Sequence, residues 1–181
     1  MRYLRYLGIV ALLGLTPAMA QDTGTAPPAD METIITMAEG GNVDAALEAL
    51  ETLLAAEPNN LEALYYRGLL QLEQGDTASA RDAFLSIIEQ YPEVVEALNN
   101  LALTYAREGD YERARRNLLS AIGRDPDYAT AQANLGDLYL RMAAEAYEQA
   151  NELYQNDPAA DAAAAATRAK LEFLEQMFEG R

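Results

Sequence analysis

The stretch that decides the fold is Asn99–Pro126, NNLALTYAREGDYERARRNLLSAIGRDP. Its centre is the pair Gly109-Asp110, and its last residue is a proline. The same features recur upstream with a period of 34 residues, and the recurring glycines and prolines are Gly41, Gly75, Gly109, Pro58, Pro92 and Pro126. A fixed period held by several columns over three copies indicates an internal structural repeat.

Each copy reads as two helices joined by a tight turn. Glycine ends the first helix because it takes a positive φ without steric cost, and the Asn or Asp after it suits the start of the second. The proline ends the second helix. Small residues, which let the two helices approach closely, stand at matching positions of both helices, namely Gly68, Ala102, Gly136, Ala46, Ala80 and Ala114.

The larger residues of each copy fill the space that the small ones leave. Four positions after each alanine of the second helix stand Leu50, Phe84 and Leu118. A two-helix unit of this size cannot bury its own apolar face, so neighbouring units must stack. The pattern therefore predicts an all-α protein made of stacked helical hairpins.

This pattern resembles the tetratricopeptide repeat family, whose unit has 34 residues. Residues 95–128 match the family best, through Leu98, Leu101, Ala102, Tyr105, Ala114, Leu118, Ala121 and Pro126. Residues 61–94 match less well because Arg67 and Gln71 replace the usual Leu and Tyr. Residues 30–60 form a first repeat whose first helix is degenerate, which suits the end of a stack. The resemblance implies an α-solenoid of about three such hairpins.

A fourth copy starts with Leu135, Gly136 and Tyr139 on the usual spacing, but positions 143 and 160 hold alanine instead of the turn glycine and the proline. Apolar residues keep helical spacing through the missing turn. The sequence therefore predicts one long helix over 129–155. A last helix within 158–181 follows, and we expect it to fold back as a C-terminal cap.

The N-terminus is typical of a secretory signal peptide over residues 1–20. Two arginines precede a short apolar run, and Ala18-Met19-Ala20 supplies the small residues of a cleavage site before Gln21. Residues 21–29 then form a flexible lead-in. These features predict a periplasmic or secreted protein with no stable membrane insertion after cleavage. The net charge of −16 opposes binding to nucleic acid.

The amino-acid composition argues against an enzymatic function. The chain has no histidine and no cysteine, so it has no Ser-His-Asp or Cys-His triad and no His/Cys metal site. No glycine-rich phosphate loop is present, because the glycines fall at the repeat turns. We therefore expect no catalytic residues, no metal and no cofactor.

The resemblance implies a binding groove lined by the first helix of each hairpin. The positions that correspond to the family's groove are Tyr65, Tyr66, Leu69, Leu72, Asn99, Asn100, Leu103, Arg107, Asn134, Asp137 and Arg141. For the tyrosines and leucines, packing between neighbouring helices is an equal alternative. The column before the turn reads Glu39, Glu73, Arg107 and Arg141, which suggests a groove acidic at one end and basic at the other.

The leading functional prediction is a non-enzymatic adaptor of the bacterial periplasm that binds a peptide or partner segment of the cell envelope in this groove. The envelope context is implied by the resemblance alone. The alternative is a self-associating or chaperone-like module. In that case the apolar residues near the end of the last helix, Phe173, Met177 and Phe178, would bind a second copy or an unfolded client.

Overall fold

The structure is a computed structural model and describes residues 28–155 and 160–179. The predicted signal peptide, its cleavage site and most of the lead-in lie outside these residues, as does the segment 156–159. The expectations for those segments therefore stay predictions.

The described residues form eight helices and no strand. The helices are α1 (Met31–Glu39), α2 (Val43–Ala56), α3 (Leu61–Gln74), α4 (Thr77–Gln90), α5 (Val95–Arg107), α6 (Tyr111–Arg124), α7 (Ala129–Gln155) and α8 (Asp161–Glu179). Within the described ranges, no helix combines the length and the hydropathy needed to cross a bilayer.

The turns inside the second and third hairpins have the chemistry that the repeat predicts, whereas in the first hairpin the side chain of Asn42 makes no cap bond to α2. Gly41, Gly75 and Gly109 have φ angles of 84°, 84° and 79°. The aspartate after the turn caps the next helix, because Asp76 Oδ1 accepts from the backbone N–H of Ser79 at 3.1 Å. The glycine thus ends one helix and the aspartate starts the next one.

The helices stack in chain order around one apolar core. Each helix from α1 to α7 packs against the next one along the chain. The largest fully buried apolar side chains are Phe84, Ile34, Leu50 and Ile87. The fold class predicted from the sequence, an α-solenoid of three hairpins followed by a long helix and a capping helix, is confirmed.

The chain passes position 143 without a turn, and α7 continues to Gln155. α8 then runs back along α7, since Lys170 lies over the ring of Tyr147 and Phe178 lies under the guanidinium of Arg141. Among the described helices, α7 is the one that α8 contacts. Leu171 and Leu174 are buried in this pair.

The second repeat accommodates its departure from the family pattern through an ion pair between hairpins. Arg67 Nη1 of α3 lies 3.2 Å from Glu51 Oε1 of α2. The arginine stem also fills space that a leucine fills in other copies of the repeat. Arg67 therefore joins the first hairpin to the second.

Candidate functional site

The first helices of the hairpins form the inner wall of the solenoid. In addition to the contacts between consecutive helices, α1 contacts α3, α3 contacts α5, and α5 contacts α7. No such contact joins α2 to α4 or α4 to α6 within the described residues. Because the first helices lie closer together than the second helices, the stack curves with the first helices on its concave face. We call this face the groove.

Hydrogen bonds between side chains join successive first helices across the groove. Asn100 Nδ2 of α5 donates to the hydroxyl of Tyr65 on α3 at 2.7 Å. One repeat later, Asn134 Nδ2 of α7 donates to Asn99 Oδ1 of α5, also at 2.7 Å. Both bonds join residues 35 positions apart. The asparagines therefore hold neighbouring repeats in register.

The tyrosine in this ladder is kept neutral by its surroundings. Its ring packs edge-on against Phe84, with the centroids 6.1 Å apart. Burial raises the pKa of Tyr65 well above its usual value, and repulsion from Tyr128 adds to this effect, although the bond from Asn100 opposes it. A neutral hydroxyl accepts from Asn100 and keeps its own proton to donate.

A second tyrosine, Tyr128, lies near enough to Tyr65 to act on its pKa. Burial, reinforced by the charges of Glu96 and Asp125, raises the pKa of Tyr128 to about 12. Glu96 also acts on the pKa of Tyr65. Tyr65, Tyr128 and Glu96 thus form one cluster, which places an acidic group beside two neutral hydroxyls.

The residues of the charged column have contacts within the chain, and the division of the groove into an acidic and a basic end stays a prediction. Burial raises the pKa of Tyr66 above its usual value, and the carboxylates of Glu39 and Glu73 raise it further, so both acids lie near one hydroxyl.

One repeat further along, Arg107 Nη1 donates to the backbone carbonyl of Leu72, the residue before Glu73 near the C-terminus of α3. This carbonyl also accepts from the backbone N–H of Gly75 at 3.2 Å, so Arg107 adds a second donor and places a cation where it complements the helix dipole.

The last member of that column, Arg141, lies 5.2 Å from the ring centroid of Phe178. α8 therefore reaches the basic end of the groove. Both arginines are exposed at the surface in spite of these contacts.

The predicted groove residues fall into three classes of exposure. Tyr66, Leu72, Asn99 and Asn100 are buried; Tyr65, Leu69, Leu103, Asn134 and Asp137 are half-buried; Arg107 and Arg141 are exposed. A partner lying in the groove meets the half-buried and exposed side chains first. Direct contact of the buried ones with a partner stays a prediction.

Sequence reasoning missed two features of this region. One is the cluster of Glu96 and Tyr128 with Tyr65, which the separation along the chain conceals. The other is a face of α7 that no described helix covers, formed by Gln132, Gly136 and Tyr139. The sequence feature that could have indicated this face is the alanine at position 143, where the repeat would have a turn glycine. Without that turn, α7 continues and the chain folds back only after Gln155.

An open cleft of about 570 Å³ lies between the α5–α6 turn and α7. Its lining includes the carboxylates Glu108, Asp110, Glu112 and Glu145. Glu108 pairs with Arg81 at 2.8 Å, and Asp110 caps α6. Nowhere in residues 28–155 and 160–179 do three acidic side chains lie close enough together to hold a metal ion.

Comparison with protein families finds tetratricopeptide repeats in two overlapping parts of the chain. One family model of this repeat matches residues 38–95, and a second matches residues 83–116. No curated protein sequence matches the chain.

Solved structures with the same fold include a mutant form of the O-GlcNAc transferase of Thermobaculum terrenum. It is 27% identical with a TM-score of 0.55, over 59% of this chain and 21% of that chain. YrrB, described as a tetratricopeptide repeat protein with an unusual peptide-binding site, is 26% identical with a TM-score of 0.53, over 56% of this chain and 52% of that chain. The present chain thus spans about a fifth of the transferase and about half of YrrB.

A third similar structure, the tetratricopeptide repeat protein TTC0263 from Thermus thermophilus, matches over a longer part of the chain. It is 22% identical with a TM-score of 0.58, over 82% of this chain and 80% of that chain. At this identity the likeness concerns the fold alone.

Proposed function

Because this chain is a tetratricopeptide repeat protein, with family matches over residues 38–116, we propose that it is a non-enzymatic adaptor that binds an extended segment of a partner protein in its groove. The tetratricopeptide repeat fold indicates a role in interaction between proteins. The groove as the binding surface is our proposal.

The observation that carries the proposal is that hydrogen bonds between side chains connect the helices of the groove wall. The bonds from Asn100 to Tyr65 and from Asn134 to Asn99 fix the planes of the donor amides and link three first helices, α3, α5 and α7. A rigid wall lowers the entropic cost of binding a flexible segment. Half-buried Leu69 and Leu103 offer apolar contact along the same wall.

The partner chemistry that fits best is a segment with an acidic group near Arg107 and Arg141. Both guanidinium groups are exposed, and they lie at the end of the groove opposite Glu39 and Glu73 in the order of the repeats. Charge complementarity of this kind sets the direction in which a segment binds.

The test is the capture of envelope proteins by the chain from Gln21 onward. Variants with replacements in the groove are compared with variants with replacements on the other face of the solenoid. Leu69→Ser with Leu103→Ser changes the groove, and Leu85→Ser with Leu119→Ser makes the same change on exposed leucines of α4 and α6. We expect the groove pair to lose the captured partner and the second pair to retain it. Retention of the same proteins by both pairs would reject the groove.

The periplasmic location is a second part of the proposal, and the signal-peptide pattern of residues 1–20 supports it. Fractionation of a Gram-negative bacterium that expresses the full chain tests it. We expect a processed protein with Gln21 as its first residue in the periplasmic fraction. An unprocessed chain in the cytoplasm would contradict this location.

The absence of catalysis is the third part. The described residues bring together no His, Cys or metal-binding cluster, and the acids Glu108 and Asp110 of the open cleft take part in an ion pair and a helix cap. Although one similar structure is a transferase, the present chain spans 21% of it. The likeness therefore concerns the repeat architecture and gives no reason to assign the transferase activity to this chain.

A further inference from the structure

One face of α5 carries four side chains that follow one another along the groove wall. They are Glu96, Asn100, Leu103 and Arg107, at successive spacings of four, three and four residues. Side chains at these spacings share one face of an α-helix. Asn100 shows where this face points, because its amide donates to Tyr65 of α3 across the groove. The groove wall therefore has an acid in the first turn of α5 and an arginine in its last turn.

The two charges at the ends of this face have no counter-ion. Among the residues that the structure describes, no ion pair involves Glu96 or Arg107. Arg107 donates to the backbone carbonyl of Leu72, which is neutral and leaves the charge uncompensated. Arg124 reaches the start of α5 from α6, but its guanidinium donates to the carbonyl of Pro92.

The surroundings of Glu96 favour a cation beside it. The side chain is half-buried, so water screens its charge less than that of an exposed acid. Burial is the main cause of the raised pKa of Tyr65 and of Tyr128, and the carboxylate of Glu96 raises both further. Glu96 therefore lies near both hydroxyl groups. A carboxylate beside hydroxyl oxygens offers several acceptors to an ammonium or guanidinium group.

An acid in the first turn of a helix also complements the helix dipole. This role needs only an exposed side chain, as the exposed Glu62 in the first turn of α3 shows. α7 forms with no acid in its first turn. The dipole therefore accounts for the charge of Glu96 but not for its half-buried place beside two tyrosines.

The length of α5 sets the distance between the two charges. Glu96 and Arg107 are eleven residues apart, so their Cα atoms lie about 16 Å apart along the helix axis. An extended chain covers this distance in about five residues. Leu103 is half-buried between them and offers apolar contact.

We propose that Glu96, with Tyr65 and Tyr128, binds a lysine or arginine side chain of the partner segment, and that the same segment carries a carboxylate for Arg107 about five residues away. This inference rests on the groove proposed above and deepens it, since it adds the positive charge of the partner and its distance from the negative one. The groove thus selects a segment that carries charges of both signs.

The test uses synthetic peptides of about eight residues, blocked at both ends, with a lysine and a glutamate about five positions apart around a central leucine. Both orders of the two charges are used, because either chain direction brings them to Glu96 and Arg107. A matched peptide of each order has glutamine in place of the lysine. Binding to the chain from Gln21 onward is measured by nuclear magnetic resonance titration, in which the shifted backbone amides locate the peptide.

Replacement of Glu96 tests the binding of the cation. In the unchanged protein we expect the lysine peptide of one order to bind at least about threefold more tightly than its glutamine match. It should shift the amides of Asn100 and Tyr128. In Glu96→Gln the two peptides should bind equally, whereas Glu96→Asp, which keeps the carboxylate, should keep the preference for lysine.

Two further variants complete the test. Arg107→Gln should weaken the lysine and glutamine peptides alike, because it removes the partner of their common glutamate. Glu32→Gln removes the same charge as Glu96→Gln from the first turn of α1 and should leave the preference for lysine unchanged. If Glu96 served only to start α5, Glu96→Gln would lower the urea midpoint and the preference for lysine would persist.

The outcomes separate this inference from the groove itself. Leu69→Ser with Leu103→Ser removes apolar contact from the groove wall and should weaken all the peptides. Equal binding of lysine and glutamine peptides that these leucine changes weaken would overturn the cation site and keep the groove. A preference for lysine that persists in Glu96→Gln would overturn the cation site as well. Absence of binding by every peptide, or binding that neither the leucine changes nor Glu96→Gln alters, would overturn both proposals.

Discussion

A Cβ atom added to Gly68 would lie 2.9 Å from Cε1 of Phe84, which is closer than real Cβ contacts come. The ring of Phe84 is fully buried and packs edge-on against Tyr65. It therefore has no open space into which to move. α3 and α4 can pack this closely only because residue 68 is a glycine, which has no side chain.

We expect Gly68→Ala to lower the free energy of unfolding by about 1–3 kcal/mol, because overpacking outweighs the gain of about 1 kcal/mol in helix propensity. Gly136→Ala at the matching position of α7 should instead raise it by about 0.5–1 kcal/mol, since the added Cβ meets open space. Urea denaturation of both variants measures the difference. Equal effects would mean that the two helices do not approach as described.

The positive φ of the turn glycines predicts that a substitution there destabilises the fold through backbone strain and not through a steric clash. Gly75 has a φ of 84° with open space around it, so Gly75→Ala creates strain and no clash. We expect a loss of about 1 kcal/mol in the free energy of unfolding. Gly123→Ala, in α6 with open space and no positive φ, is the matched control and should be neutral or stabilising. A loss of the same size in both would contradict a cause in the turn.

The bond between Asn134 and Asn99 links two repeats through a buried acceptor. Asn99 is 3% exposed, so Asn134→Ala leaves Asn99 Oδ1 without this donor in a place that water hardly reaches. We expect a loss of about 1–3 kcal/mol in the free energy of unfolding. A double-mutant cycle with Asn99→Ala should give a coupling energy of about 0.5–3 kcal/mol. Strict additivity of the two single changes would show that the bond does not form in solution.

The raised pKa of the half-buried Tyr128 predicts that alkali destabilises the fold. Tyr128 has its pKa raised to about 12, against an ordinary value of 10.0. Its stabilising contribution is fully present below pH 10 and is lost as the pH rises from about 10 to about 12, because the unfolded chain ionises first. We expect the urea midpoint to fall over this range, and to fall less in Tyr128→Phe. An unchanged pH profile in Tyr128→Phe would contradict the assignment of this pH dependence to Tyr128.

Removal of α8 distinguishes a cap from a surface for self-association. Ending the chain after Gln155 exposes the face of α7 that packs against Leu171 and Leu174. We expect a lower urea midpoint, and sedimentation should show a monomer both for the truncated chain and for the longer one. A dimer of the longer chain that becomes a monomer on truncation would instead favour self-association through α8, where Phe173 is 62% exposed.

Much of the fold follows from local patterns in the sequence. The glycines of the turns and the aspartates after them mark the hairpins because φ angles and helix caps involve only nearby residues. The alanines at 143 and 160 give no reason for a turn, and α7 passes the first of them as one helix. The departure of Arg67 from the family pattern is also visible in the sequence, but its partner Glu51 is not.

The binding surface depends on distances between helices, which periodicity does not contain. The sequence places Asn99 and Asn100 on the groove side of α5, but only the packed repeats bring Tyr65 and Asn134 within 2.7 Å of them. The same holds for Arg107 and the carbonyl of Leu72.

The amino-acid sequence by itself determined the repeat, the hairpin turns and the all-helical class, since each is set within about one helical turn of the residues concerned. The tertiary structure alone decided which groove residues are buried and that no described helix covers the face around Gly136. The physical reason is that burial and hydrogen bonding between helices depend on where the next helix lies, and α8 packs further along α7 than the repeat would place it.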